Sequence, residues 1–196
     1  MSAKVSKELN QRSNQFFCVF NDSGADLFKS SRFIYSKMLK EIPNLRFIAL
    51  IFHENEWDSD LKKIKTNHYH VYFNLKDCLM TSLNNMLNTI VDIFKCNRNQ
   101  ISIEKATDEC KCVRYLIHLD DLDKQSYLPF DIVTNNESLC AEYFARIPII
   151  NDIKEVVEIA RRYHYSTEQI MLAIGKKNWK NWRTEFLDLK RDNLRL

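Results

Sequence analysis

Asn67-His68-Tyr69-His70-Val71-Tyr72-Phe73 begins with two imidazoles flanking one bulky residue, and runs on into β-branched and aromatic residues. Such a run reads as a strand. Strand side chains alternate faces, so His68 and His70 share one face while Tyr69 takes the other. Two imidazoles on a rigid element are half of a metal site. His53 and, three residues on, Glu56 can supply the rest, with Asp58 as a competing carboxylate. Three imidazoles and a carboxylate hold one divalent ion and leave positions for substrate oxygen. Imidazole-rich ligation favours Mn, Co, Ni or Zn in raw affinity. Mg or Mn is the usual partner of phosphate substrates, so Mn or Mg is expected. A third group, Lys111 to His118, carries Tyr115. On a helix, Val113, Leu116 and Ile117 form an apolar face, and Tyr115 lies beside it with Lys111 at i−4 and His118 at i+3. A tyrosine held there can reach a metal on the sheet. His164 reads as structural.

The elements that must carry these groups follow from periodicity. Residues 15–20 predict a first strand, closed by the turn-forming Asn21-Asp22-Ser23-Gly24. Residues 31–42 predict a helix stopped by Pro43, and the apolar Leu45 to Phe52 a central strand. A charged loop leads to the strand His68 to Leu75. A long amphipathic helix over 79–96, a short strand over 100–104 and a helix over 107–119 complete the order. Strands 45–52 and 68–75 follow directly and are expected to pair antiparallel. Their pairing would bring His53 and Glu56 to His68 and His70. The expected fold is α+β: an antiparallel sheet with helices packed on one face and the other face free for a site, followed by a small all-helical C-terminal region. Residues 1–14 are expected to be a flexible N-terminus, 15–135 the catalytic domain and 136–196 the helical region.

The totals exclude several classes. The chain has 196 residues, 45% of them hydrophobic, enough for a packed core. Only Gly24 and Gly175 are glycine, which excludes Gly-rich phosphate loops. The start lacks a signal peptide and no apolar stretch reaches membrane-spanning length, so a cytoplasmic protein is expected. Of six cysteines only Cys110 and Cys112 are close-spaced, a weak zinc signal; free thiols are the simpler reading. The net charge of +3 falls entirely in residues 152–196, which hold 10 basic and 7 acidic residues against 19 of each before them. That segment reads as helices over 138–146, 152–163, 167–174 and 177–192. Its basic aromatic stretch, Lys176-Lys177-Asn178-Trp179-Lys180-Asn181-Trp182-Arg183, fits either a helix-turn-helix DNA contact or an oligomerisation bundle.

The ordered motifs resemble the HUH endonucleases, and more closely the rolling-circle replication initiators of small plasmids from Gram-positive bacteria. The first is His53 with Glu56, where relatives commonly carry Asp. The second is His68-Tyr69-His70. The third is Tyr115-Leu116-Ile117-His118 with Asp120, Asp121, Lys124 and Tyr127; His118 stands where many HUH relatives have Lys. The resemblance covers about residues 15–135 and implies metal-assisted attack by Tyr115 on one DNA strand, leaving a 5′-phosphotyrosine link and a free 3′-OH. It implies His53, Glu56, His68 and His70 as ligands, with Lys111 or His118 stabilising phenolate or phosphate. Tyr127 is the rival nucleophile and Tyr72 a site wall. The implied partners are single-stranded or extruded origin DNA and the host helicase and polymerase, with no membrane. Lys176, Lys177, Lys180 and Arg183 would contact DNA, and self-association into a homo-oligomer is compatible. A relaxase or single-strand transposase on the same core, a non-catalytic DNA-binding regulator and a zinc hydrolase are the competing readings. The last leaves the tyrosine motif without a purpose.

Overall fold

A computed structural model describes residues 9–21, 28–58, 62–76, 79–121 and 124–146, and isolated positions beyond them. The chain divides into two compact units, 1–140 and 141–196. In the first unit the order is β1 (Arg12–Ser13), β2 (Gln15–Asn21), α1 (Ser31–Glu41), β3 (Leu45–His53), β4 (Trp57–Asp58), β5 (Lys63–Ile64), β6 (His68–Leu75), β7 (Thr81–Ser82), α2 (Leu83–Phe94), β8 (Ile101–Lys105), α3 (Glu109–Leu116) and β9 (Val133–Thr134). Helix α4 (Glu137–Ala145) runs across the division. The class is α+β, as expected.

Five strands form one antiparallel sheet in the order β8-β2-β6-β3-β9. Strand β6 lies at its centre and is buried along its whole length, which explains why its sequence is apolar or aromatic almost throughout. Alternation sorts the two faces. Phe16, Cys18, Phe20, Ile48, Leu50, Tyr69, Val71 and Phe73 face one way and pack with Ile34 and Met38 of α1 and Leu83, Met86, Leu87, Ile90 and Phe94 of α2. Each fully buried side chain of this kind contributes roughly 1.5–3 kcal/mol.

Helices α1 and α2 thus cover one face, while α3 lies on the other, against β6 and β3. The expectation of helices on a single face is corrected here: α3 joins the histidine face because its own apolar residues Val113 and Leu116 are buried there. Helix α2 begins at Leu83, not 79, because Thr81–Ser82 pairs with Arg12–Ser13 and the Ser82 hydroxyl caps the helix on Asn85 N at 3.1 Å. The segment expected to be loose therefore contributes a strand, and Leu9 packs on the core. Residues 1–8 lie outside the described residues. Beyond α4, the described residues Val157, Thr167, Trp179, Lys180, Trp182 to Thr184, Leu187, Asp188 and Arg191 are helical. The other helix positions expected there, with His164, Lys176 and Lys177, lie outside the described residues. No described helix is long and apolar enough to cross a membrane.

Candidate metal and nucleophile site

Register brings the histidines together. In the β3–β6 pair His53 sits opposite His68 and Ile51 opposite His70, and opposed residues share a face. Ring centroids are 5.3 Å apart for His53 and His68, 4.4 Å for His53 and His70, and 4.8 Å for His68 and His70. The chain leaves β3 and turns Glu56 back under the sheet end, where it is 3% exposed. Its Oε2 lies 3.5 Å from His68 Nε2 and 3.4 Å from Lys65 Nζ. A fourth imidazole, His118, is fully buried with Nε2 3.7 Å from Glu56 Oε1. Two ligand groups result, His53-His68-His70 and His53-Glu56-His118, each with donor atoms within 4.8 Å of one another.

Backbone carbonyls orient the rings. A carbonyl only accepts, so the nitrogen facing it carries the proton and the other nitrogen keeps its lone pair. His53 Nε2 donates to Leu116 O at 2.7 Å, His68 Nδ1 to Thr66 O at 2.8 Å and His118 Nδ1 to Gln125 O at 2.8 Å. The free nitrogens are then His53 Nδ1, His68 Nε2 and His118 Nε2. His53 Nδ1, His70 Nδ1, His118 Nε2 and Glu56 Oε1 are buried with no hydrogen-bond partner. Buried acceptors without donors are costly, and a cation satisfies several at once. Burial first, then the neighbouring imidazoles, lowers His53 to about 3 and holds His70 well below its ordinary value. Burial also lowers His118. These rings are neutral at pH 7, the state that binds metal.

Helix α3 supplies the phenol. Asp108 caps its start, accepting from Lys111 N at 3.0 Å, and its end is pinned by buried Arg114, whose Nε donates to Asp120 Oδ2 at 2.7 Å. The helix stops at Leu116 rather than 119. His118 takes a left-handed conformation (φ 53°), which turns its ring inward to 4.6 Å from His53. Tyr115 stacks on His70 at 5.5 Å and meets the Phe17 edge at 5.7 Å. It is 37% exposed, so substrate can reach its oxygen. Lys124 Nζ donates to that oxygen at 2.9 Å, lies 4.6 Å from the ring centroid and pairs with Asp121 at 3.0 Å. Burial alone would lower the Lys124 pKa; the bonds to Tyr115 and Asp121 outweigh it and leave it raised.

The structure thus gathers His53, Glu56, His68, His70, His118 and Tyr115 in one place. Lys111 lines a cavity that Tyr115 shares, and Lys124 holds the phenol oxygen. The sequence put Lys124 in the third motif without giving it a role. Tyr127 stacks on His53 at 4.1 Å, and burial with the charges of Glu56 and Glu54 pushes its phenol up to about 12, so it is harder to ionise than a free tyrosine. Tyr72 is buried and donates to Glu109 Oε2 at 3.0 Å. Tyr69 packs in the core on the opposite face. Asp58 pairs with Lys63 in the β4–β5 ladder. In the second unit Lys180 and Arg183 are exposed.

No curated protein matches the chain. Residues 9–139 match the family described as plasmid replication protein, origin binding domain, and this span takes in every described strand and the whole imidazole cluster. The chain belongs to that plasmid replication protein family.

Proposed function

We propose that the chain initiates rolling-circle replication by nicking one strand at a plasmid origin through Tyr115. The observation that carries the proposal is the Tyr115 phenol, stacked on His70 of the imidazole–carboxylate cluster with Lys124 Nζ on its oxygen. Donors around one ion at about 2.1 Å are at most about 4.2 Å apart. Within each triad, His53-His68-His70 and His53-Glu56-His118, the spread of up to 4.8 Å needs only slight closing. His53, Glu56, His68 and His70 would hold Mn or Mg, with His118 beside them. When bound, the ion would withdraw charge from the scissile phosphate and fix its orientation.

The remaining work belongs to the side chains. Phe17 and His70 hold the Tyr115 ring, which limits the approach of its oxygen. Lys124 stabilises charge on that oxygen as its proton leaves. The phenol oxygen bonds to phosphorus while the bond from phosphorus to the 3′ oxygen breaks. The leaving oxygen takes up a proton and becomes a 3′-OH that a polymerase can extend. The 5′-phosphotyrosine link keeps the phosphoester for rejoining. Exposed Lys180 and Arg183, with Lys176 and Lys177, would add phosphate contacts. The origin-binding family supports a replication origin as target over a transfer or transposition site.

Incubation with pooled single-stranded oligonucleotides plus Mn or Mg should give a covalent protein–DNA product resistant to denaturing gels. Tyr115→Phe should abolish it while leaving DNA binding nearly intact. Adducts that persist in that variant refute the assignment.

A further inference from the structure

Beside the imidazole cluster, on the same face of the sheet, lies a cavity of about 490 Å³ to which the nicking step assigns no occupant. Register explains its floor. His70, Val19 and Ser102 form one row across β6, β2 and β8, and Tyr72, Phe17 and Glu104 form the next. The rows lead from the imidazoles to the sheet edge. Phe17 and Val19 give an apolar floor, His70 and Tyr115 close one end, and Lys111 stands one helical turn before Tyr115 on the same side of α3. Ser102, Glu104 and Lys111 are exposed at the rim. The Glu104 carboxylate and the Lys111 ammonium have no ion-pair partner among the described residues.

We propose that this cavity binds one nucleotide of single-stranded DNA next to the scissile phosphate, and selects a base that bears an exocyclic amino group. This deepens the nicking proposal and rests on it for the word scissile. Sharing Tyr115 and His70 with the reacting centre places an occupant next to the attacked phosphorus. The volume is within the range of small-ligand sites. Its apolar floor suits a base face. Charge sets the orientation. Glu104 repels phosphate and accepts from an amino group, so the base points to the sheet edge. Lys111 attracts the sugar-phosphate backbone along α3. Adenine, cytosine and guanine each offer an amino donor. Thymine offers an imide N–H between two carbonyls, which a carboxylate disfavours.

The test needs no cleavage. The full chain, labelled for NMR, is titrated with the single-stranded trimers d(TCT) and d(TTT) and with the same trimer carrying an abasic centre, and the Val19 methyl and Ser102 amide signals are followed. Both signals should move with d(TCT), with affinity roughly tenfold or more above the abasic trimer. Glu104→Gln should remove most of the preference for d(TCT) over d(TTT), and Val19→Trp should abolish the Ser102 amide shift by filling the floor. Equal affinity for all three trimers, shifts confined to other residues, or an unchanged preference in Glu104→Gln would overturn the proposal. Failure of the nicking reading is distinguishable: no adduct forms with any oligonucleotide, while the trimer shifts still report on the cavity.

Discussion

Replacing Lys124 by Ala removes the only cation bonded to the Tyr115 oxygen among the described residues. A hydrogen bond to a charged group contributes roughly 1.5–3 kcal/mol, and a cation over an exposed aromatic ring about 0.5–1 kcal/mol more. The Lys124 side chain is 29% exposed and Tyr115 is 37% exposed, so water screens the interaction. The lower end, about 1.5 kcal/mol, is therefore appropriate, and it corresponds to roughly a tenfold slower reaction. Negative charge on the phenol oxygen is greatest as the proton leaves, so the loss should fall on rate rather than affinity. Single-turnover adduct formation with saturating oligonucleotide reads the rate. Fluorescence anisotropy in a Tyr115→Phe background reads affinity. Lys124→Arg should recover part of the rate, since it keeps the charge but not the point geometry. A Lys124→Ala rate within twofold of the parent, or a loss found wholly in affinity, would refute the reasoning.

Tyr127→Phe should leave adduct formation in place, because its phenol is held against His53 with its pKa raised; mass spectrometry of the adduct peptide checks this. Mn added at about one hundred times its dissociation constant should stabilise the fold by about 2.7 kcal/mol, seen as a higher Tm, and His68→Ala should lose most of that gain. An equal Tm rise in both proteins would place the ion elsewhere. Asp120→Ala takes away the carboxylate that buried Arg114 pairs with at the end of α3, and should cost on the order of 2 kcal/mol in urea unfolding. Burial, then Asp108 and Glu104, pushes the Cys112 thiol from its ordinary 9.0 up to about 11. Its alkylation at pH 9 should be slower in the native protein than in urea. The stability linked to this raised pKa is complete below about pH 9 and is lost as pH rises through about 11.

Much of the scaffold was legible because local periodicity is a local property. The alternation in His68 to Leu75 put two imidazoles on one face, and β6 spans those residues. The apolar run from Leu45 marked β3, and the spacing of Val113 and Leu116 marked the buried side of α3. What periodicity could not carry were the choices made by distant residues. The β3–β6 register that sets His53 opposite His68 comes from burying both strands between two layers of helices; a slip of one residue would send the imidazoles to the opposite face. The end of α3 at Leu116 depends on the left-handed turn at His118 and on the pairing of Arg114 with Asp120. The ring tautomers depend on carbonyls of Leu116, Thr66 and Gln125, groups that every residue possesses and that no motif can mark. Lys124 meets Tyr115 only because the chain folds back after the helix. Residue types and their spacing therefore determined which chemistry was available, and tertiary packing decided which nitrogen, which oxygen and which cation face one another, because burial and hydrogen-bond pairing are settled between segments far apart in the chain.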